Sequence, residues 1–477
     1  MKNMQYDAVV VGSGPNGFAA AITLQKVGLS VLLIEGRDTV GGGMRTAELT
    51  LPGYHHDVCS AVHPMAAISP FFTLIPLKEH GLNLIEPTFA AAHPFNDGTV
   101  ALLKNSLEDT AYGLGQDRDA YLSLIKKAVK DLPKLLPDIL GPFPVPRYPL
   151  ELASFGLKAL PPINWTANRF KTKQARGLWA GVAAHAVQPF NNIASSAIGL
   201  VMTSAAHMGG WPIVEGGSQS LANALASYFL SLGGKIQTGH YVKSVDELPT
   251  AKAVLFDVGP KQLIEIAGDR LGSFYINRLK KFKYGMGVFK MDWALSEPIP
   301  FTAKDASGAG TVHLGNTFEE IAYSEKIISE GKHPDKPFVL LSQPSLFDKT
   351  RAPQGKHTAW AYCHVPNGSQ VDMTDIIENQ IERFAPGFKD TILKRSTMNT
   401  VQMQEYNPNY IGGDVNGGLQ DLTQLYSRPV LSLSPYRASA KGIYLCSAST
   451  PPGGGVHGLC GYHAAKQVLK DLFGNNI

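Results

Sequence analysis

Cysteine is scarce: Cys59, Cys363, Cys446 and Cys460 are the only four in 477 residues. They form neither a CxxC pair nor a metal-knuckle spacing, which excludes thiol–disulfide reductases and zinc modules and fits a reducing compartment. Charge is sparse as well, at 17% of residues, and balanced, with 43 Lys and Arg against 39 Asp and Glu for a net +4. These charges are scattered rather than gathered into arms or stripes, so no nucleic-acid partner is expected. The N-terminus, MKNMQYDAVVVGSG, has only a short apolar run and no small-residue cleavage site, which makes the cytoplasm the expected location. Residues 177–214 contain no Asp, Glu, Lys or Arg, a length that could span a bilayer. A lipid-facing helix would have to bury His185, Gln188, Pro189, Asn191, Asn192 and His207, so the stretch reads as two buried helices. With 44% hydrophobic residues the chain is of globular type, long enough for two to four domains.

What is present begins at Tyr6. Ala8-Val9-Val10-Val11 is apolar throughout, as a strand covered on both faces of a parallel sheet should be. It runs into Gly12-Ser13-Gly14-Pro15-Asn16-Gly17, an alanine-rich helical segment, and a second strand, Ser30 to Ile34, that ends at Glu35. This is the complete strand, glycine turn, helix, strand and acid unit of dinucleotide binding. Gly12 permits the turn, Gly14 lets backbone approach a pyrophosphate, and Gly17 lets helix and strand pack closely. The helix N-terminus then offers unpaired N–H groups to the phosphates. Glu35 is placed to accept hydrogen bonds from ribose hydroxyls. Gly36, Arg37 and the pair Gly41-Gly42 follow, where more backbone can close over an extended dinucleotide. No second G-x-G-x-x-G unit occurs later, which argues against a separate NAD(P)H domain. At the other end Lys441 to Cys446 reads as a buried strand, followed by Thr450-Pro451-Pro452-Gly453-Gly454-Gly455-Val456-His457-Gly458 and a helical run from Tyr462 to Leu472. The triple glycine is either a site where backbone N–H groups face an anion or the electron-rich edge of a cofactor ring, or a plain turn.

The combination of the N-terminal unit, the E-x-R-x-x-x-GG pattern and the K-G-I-Y-L-C…P-G-G-G-V terminus resembles the bacterial-type phytoene desaturase family. That family lies in the glutathione-reductase-like flavoprotein superfamily, in the branch that includes amine oxidases and carotenoid desaturases; the resemblance is nearest to the phytoene-dehydrogenase-related oxidoreductases. It extends to Trp211–Leu221 and Gly233–Ile236. It implies an α/β fold: a Rossmann-like FAD-binding domain, discontinuous over 1–70, 206–275 and 425–477, with an inserted α+β substrate or lid domain from 71–205 and 276–424. FAD is the implied cofactor, held by Gly12, Ser13, Gly14, Pro15, Asn16, Gly17, Glu35, Gly36, Arg37, Gly41 and Gly42, with Val242 near the adenine and Val62, Gly455 and Val456 near the ring. Two departures from the family pattern stand out. Gly43 and Met44 follow the glycine pair where arginine is usual, with Arg45 two positions late, and Ser447-Ala448-Ser449 replaces a G-x-G segment.

The stretch from Leu132 through Pro142-Phe143-Pro144 to Pro162 is apolar and broken by prolines. It reads as a lid over a long channel, a patch that dips into a membrane face, or an ordinary helical core. With the resemblance, the expected substrate is long and hydrophobic, a polyene or an unsaturated acyl chain, with quinone or oxygen as electron acceptor. His63 and His457 are the candidates for proton handling near the ring. His55 and His56 read as a turn after Pro52-Gly53, without metal-site spacing. Three functions follow: an FAD-dependent oxidoreductase that desaturates or saturates the substrate, a redox-neutral double-bond isomerase, and a non-catalytic lipid-binding protein stabilised by FAD.

Overall fold

A computed structural model describes residues 5–142, 145–425 and 427–474; Phe143 and Pro144 of the proline-broken stretch lie outside them. The nucleotide end is built on a parallel sheet of β1 (Tyr6–Val11), β2 (Val31–Ile34), β3 (Lys235–Gln237), β4 (Ala251–Phe256) and β5 (Ile443–Leu445), in the order β5-β4-β1-β2-β3. β1 is central, with Val9 opposite Val254 on one side and Leu32 on the other. Its side chains alternate: Ala8 and Val10 enter the core beneath one layer of helices, Val9 and Val11 the core on the opposite face. That two-sided burial is why the strand shows no polar alternation.

Six helices shape the site: α1 (Pro15–Lys26), α2 (Pro149–Ala159), α3 (Lys173–Ala183), α4 (Ser196–Gly209), α5 (Ser218–Ser231) and α6 (Leu459–Val468). α6 crosses α1 so closely that a Cβ on Gly461 would lie 1.7 Å from the Asn16 carbonyl oxygen. The charge-free stretch forms α3 and α4, both buried against the central helical core.

A second, mixed sheet lies apart from the first in the strand order. Its seven strands run in the order 392–398, 287–295, 357–365, 339–342, 309–314, 89–94 and 100–103. All neighbours are antiparallel except 309–314 with 89–94. α3 packs on this sheet through two glycines one turn apart: Gly177 receives the ring of His93 and Gly181 that of His313.

Two local expectations are corrected. The prolines at 133 and 137 do not break the chain, because the helix Arg118–Ile139 runs through both. Both prolines are exposed, and of the residues whose carbonyls lose an N–H partner, Pro133 is exposed and Val129 half-buried. His55 and His56 are not in the turn, which is confined to Pro52-Gly53; they belong to a short strand, His55–Asp57, paired antiparallel with Thr46–Glu48. Among the described residues no helix is long and apolar enough to cross a membrane.

Candidate functional site

The glycine turn is shaped by contacts that leave no room for side chains. Gly12 has φ +103°, and a Cβ there would meet the Asp257 carbonyl oxygen at 2.9 Å. A Cβ on Gly42 would lie 2.9 Å from the Gly14 Cα, so the glycine pair lies directly on the turn. Ser13 joins the two: its N–H and hydroxyl donate to Glu35 Oε2, and its Oγ accepts the Gly41 N–H at 3.1 Å.

Glu35, expected to face a ribose, is also the hub of this loop. Its Oε1 accepts the Arg37 N–H at 2.9 Å and faces Arg45 Nη2 at 3.2 Å. Arg45, the late arginine, is thus engaged by Glu35 and by the carbonyls of Thr39 and Gly42. Arg37 turns away from the phosphate site, donating to the carbonyls of Glu405 and Tyr406 and lying over the Tyr406 ring. A carboxylate has about four acceptor positions, and the Ser13 N–H, the Ser13 hydroxyl, the Arg37 N–H and Arg45 occupy them, so a ribose hydroxyl would bind Glu35 only by displacing one, the Ser13 hydroxyl being the one free to rotate.

One member of this end has no counterpart among the sequence candidates. Asp257 follows β4, and its Oδ2 accepts the Gly17 N–H at 2.9 Å, at the N-terminus of α1. Burial, reinforced by Glu35, pushes its carboxyl up to about 7 from the ordinary 3.8, against the lowering effect of the Gly17 N–H. An acid raised in this way favours the folded chain most when protonated, and that contribution is lost as the pH rises from about 3.8 to about 7. A bound pyrophosphate beside it would raise it further, so dinucleotide binding takes up a proton above about 7. FAD titrations of the apoprotein followed by flavin fluorescence should therefore weaken as the pH rises through about 7, whereas Asp257→Asn should give a flat profile. A wild-type profile as flat as the variant's would refute the placement.

Gly12 to Asn16 of the turn, Glu35-Gly36-Arg37, Gly42, Val242, Asp257 and the segments 447–449 and 454–457 all line one cavity of about 820 Å³, whereas Gly17 lies behind it with its N–H on Asp257. Gly41 does not line it; it stays behind, bonded to Ser13. A Cβ on Gly454 would lie 2.5 Å from the Asn416 carbonyl oxygen, and this close approach holds the C-terminal loop against the wall. From the nucleotide end the cavity continues past Val62, His63 and Met65 into an aliphatic chamber of Leu152, Phe155, Ala159, Ile198, Val201 and Met202 from α2 and α4.

His63 and His457 both line the cavity where the two halves meet. Burial lowers each to about 4, so both are neutral. His457 is bonded at both nitrogens: Nε2 faces the Gly453 carbonyl at 3.2 Å, and Nδ1 accepts the Leu459 N–H at 3.0 Å. It braces the glycine loop against the start of α6. His63 differs. Its Nε2 lies 2.8 Å from Ser218 Oγ, whose own proton goes to the Ser60 carbonyl. His63 therefore carries its proton on Nε2, and its unprotonated Nδ1 has no partner among the described residues.

Behind this wall lies a buried ionic network that has no signature in the sequence. Arg351 pairs with Asp57 and with Asp348, and Lys290 with Asp292, near His56. Asp57 also accepts the Ser218 N–H and the Thr46 hydroxyl, which ties the segment leading to His63 to the start of α5.

Compared with known proteins, residues 10–72 match the family described as NAD(P)-binding Rossmann-like domain. Over nearly the whole length the chain is 26% identical to pyridine nucleotide-disulfide oxidoreductase domain-containing protein 2 of Mus musculus, covering 98% of this chain and 94% of that protein. It is 23% identical to one component of the limonene dehydrogenase of Castellaniella defragrans, over 99% and 96% of the two chains. It is 21% identical to a lycopene-forming phytoene desaturase of Paracoccus sp., over 98% and 97%. Among solved structures, an oxidoreductase from Methanosarcina mazei shares the fold with a TM-score of 0.66 at 15% identity, over 97% of this chain and 100% of that one. A putrescine oxidase shares it with a TM-score of 0.62 at 17% identity, over 98% and 99%. At the level of the superfamily, the chain is a homologue of the flavin-type oxidoreductases that include pyridine nucleotide-disulfide oxidoreductase domain-containing protein 2 and the carotenoid desaturases, built on a Rossmann-like dinucleotide-binding fold.

Proposed function

We propose that the chain is an FAD-dependent oxidoreductase that desaturates or saturates a long hydrophobic substrate, a polyene or an unsaturated acyl chain. The observation that carries this reading is the continuity of the cavity, from the glycine turn and Glu35 at one end to an aliphatic chamber between α2 and α4 at the other. The residues present suit FAD: the turn has no room for side chains, the buried Asn16 Oδ1 on its wall has no partner among the described residues, and Glu35 lines the cavity where a ribose hydroxyl could take the place of the Ser13 hydroxyl. Bound there, FAD supplies hydride exchange. Gly12, Ser13, Gly14, Pro15, Asn16, Gly36 and Gly42 would then line the space for the phosphates and ribose, with Gly17 and Gly41 shaping the turn from behind and the Arg37 guanidinium held away on the carbonyls of Glu405 and Tyr406; Val242 would lie at the adenine, and Val62, Gly455 and Val456 at the ring.

The chain's own part is to hold an apolar chain straight, keep water out and move one proton. Of the two histidines, His63 has the free lone pair for that proton, while His457 positions the loop. In the desaturating direction quinone or oxygen would take up the two electrons; the saturating direction would instead require an electron donor. The substrate enters past α2, whose Leu150 and Leu157 point outward beside exposed Val145, Leu160, Trp165 and Ile193 while Leu152 and Phe155 line the chamber. Such a patch at a channel mouth suits peripheral contact with a lipid surface.

The test is anaerobic: load the yellow protein with polyene or polyunsaturated acyl substrate in liposomes, follow the flavin band and extract the lipid. Bleaching that matches new double bonds is the expected result for desaturation. Reduced protein that becomes yellow while double bonds disappear is the result for saturation. Rearranged double bonds without any change in flavin oxidation state would replace this reading with an isomerase.

A further inference from the structure

The charges that read as scattered along the chain are unevenly placed once they are counted by segment. From Arg118, which opens the helix Arg118–Ile139, to Arg176 near the start of α3 there are 11 Lys and Arg against 4 Asp and Glu, a net +7. The whole chain has 43 against 39, so the remainder has 32 against 35 and is net −3. The acids of the segment offset little at its surface: Asp131 and Asp138 are buried, Glu151 is half-buried, and Asp119 stands in the first turn of the helix.

Lys126, Lys130 and Lys134 recur every four residues on the helix Arg118–Ile139, with Lys127 one position round, so the four share an arc of about 100°. All are exposed, and among the described residues only Lys127 of the four has a carboxylate partner, Asp131. α2 lies antiparallel beside this stripe. At one end the Lys134 Nζ stands 5.5 Å from the centre of the Tyr148 ring; at the other the Lys158 Nζ donates to the Leu124 carbonyl at 2.9 Å. Burial, reinforced by the like charges of Arg169 and Lys127, lowers Lys158, so exposed Arg169 belongs to the same edge.

The outward face of α2 is apolar. Leu150 and Leu157, two turns apart, are 83% and 76% exposed, and Val145 and Trp165 are exposed on either side in sequence. Leu160, at the C-terminal end of α2, is 50% exposed and also lines the cavity, so the cavity opens beside this face. An apolar ridge at the opening is thus bordered along its length by cations.

We infer that this face docks on an anionic lipid surface, the leucines of α2 entering the acyl boundary and Lys126, Lys130, Lys134 and Arg169 meeting the headgroup phosphates. The inference deepens the function proposed above by naming the surface that supplies the substrate, and it rests on that reading for what passes through the opening. A second copy of the chain would bring like charges together across a two-fold contact. A nucleic acid would take the cations and leave the leucines in water. An anionic bilayer satisfies both.

Flotation of the FAD-loaded protein with vesicles of phosphatidylcholine alone, or with about one-third phosphatidylglycerol, tests this. Binding to the anionic vesicles should be tighter by about a hundredfold or more, each Lys or Arg near such a surface contributing about fivefold. Salt at about 1 M should screen most of the difference. Lys126→Gln, Lys130→Gln and Lys134→Gln together should remove about a hundredfold of the preference, with binding to neutral vesicles, FAD content and the denaturant midpoint unchanged. Leu150→Ser with Leu157→Ser should weaken binding to both kinds of vesicle by about tenfold or more. Equal binding to the two kinds of vesicle, or a triple variant that keeps the preference, overturns the assignment. So does a dimer in sedimentation that the leucine variant dissociates, which would make the face a contact between copies. Vesicle binding as expected, with no flavin change or double-bond change for any polyene or acyl chain, overturns the function proposed above and leaves the docking face standing.

Discussion

Gly17→Ala is expected to abolish dinucleotide binding and to cost about 4 kcal/mol or more, beyond the usual range for a single methyl group. The added Cβ would lie 1.9 Å from the Gly12 carbonyl oxygen, 2.9 Å from the Gly12 carbonyl carbon and 3.1 Å from Asp257 Oδ2. The first two contacts are backbone atoms at the end of β1, so no rotamer change relieves them. α1 would have to lift off the strand, and with it would go the Gly17 N–H bond to Asp257 and the crossing of Gly461 over Asn16. Gly113→Ala is the matched control, because nothing lies within 4 Å of its Cβ position and its φ is not positive; it should be neutral or slightly stabilising, as alanine is in a helix. Urea unfolding together with FAD titration of both variants measures the contrast. A Gly17→Ala protein as stable and as yellow as the control would mean that the turn is not held as described.

Arg351→Met should destabilise the protein by about 3–5 kcal/mol, the usual cost of stripping the partner from a buried charge. Arg351 is 1% exposed and stands between the carboxylates of Asp57 and Asp348. Methionine fills much of the volume but leaves two acids sealed beside each other. Lysine should rescue poorly, since a single ammonium cannot reproduce the planar fork that reaches both carboxylates. Adding Asp57→Asn to Arg351→Met should recover part of the loss, because it removes one of the stranded charges. Denaturant midpoints for the two single variants and the pair close the cycle; strict additivity would show that Arg351 and Asp57 are not coupled. The same loss should reach the site, because Asp57 holds the Ser218 N–H, and Ser218 in turn fixes His63.

The nucleotide end was legible because its signal is contiguous. Strand, turn, helix and acid follow one another within about thirty residues, and Gly12 and Gly17 are required by close backbone contacts, Gly14 by the Asp257 carboxylate. The role of Arg45 was less legible: its spacing marked it as late for a phosphate, but only the fold shows that it turns back on Glu35. The ionic network was invisible, since Asp57 and Arg351 meet across 294 residues of chain and no period connects them. The histidines that face α3 left a faint trace. Gly177 and Gly181 interrupt a helix at a cost in propensity, and that cost makes sense only once His93 and His313 are seen to need the space. The prolines at 133 and 137 misled for the opposite reason: their penalty depends on whether the freed carbonyls meet water, which local sequence does not reveal.

The last strand of the parallel sheet also sets a timetable. β1 is made among the first residues, but β5 and the helix that covers α1 are made only after residue 440. At about 5–20 residues per second of synthesis, the glycine turn waits tens of seconds for its cover, with the alanine face of α1 bare. The site therefore matures only once the residues beyond 440 have been made, and growing chains of this protein should depend on chaperones until then. A ribosome stalled shortly before residue 440 should hold a chain that cannot retain a dinucleotide, however well its first domain-forming segment is written.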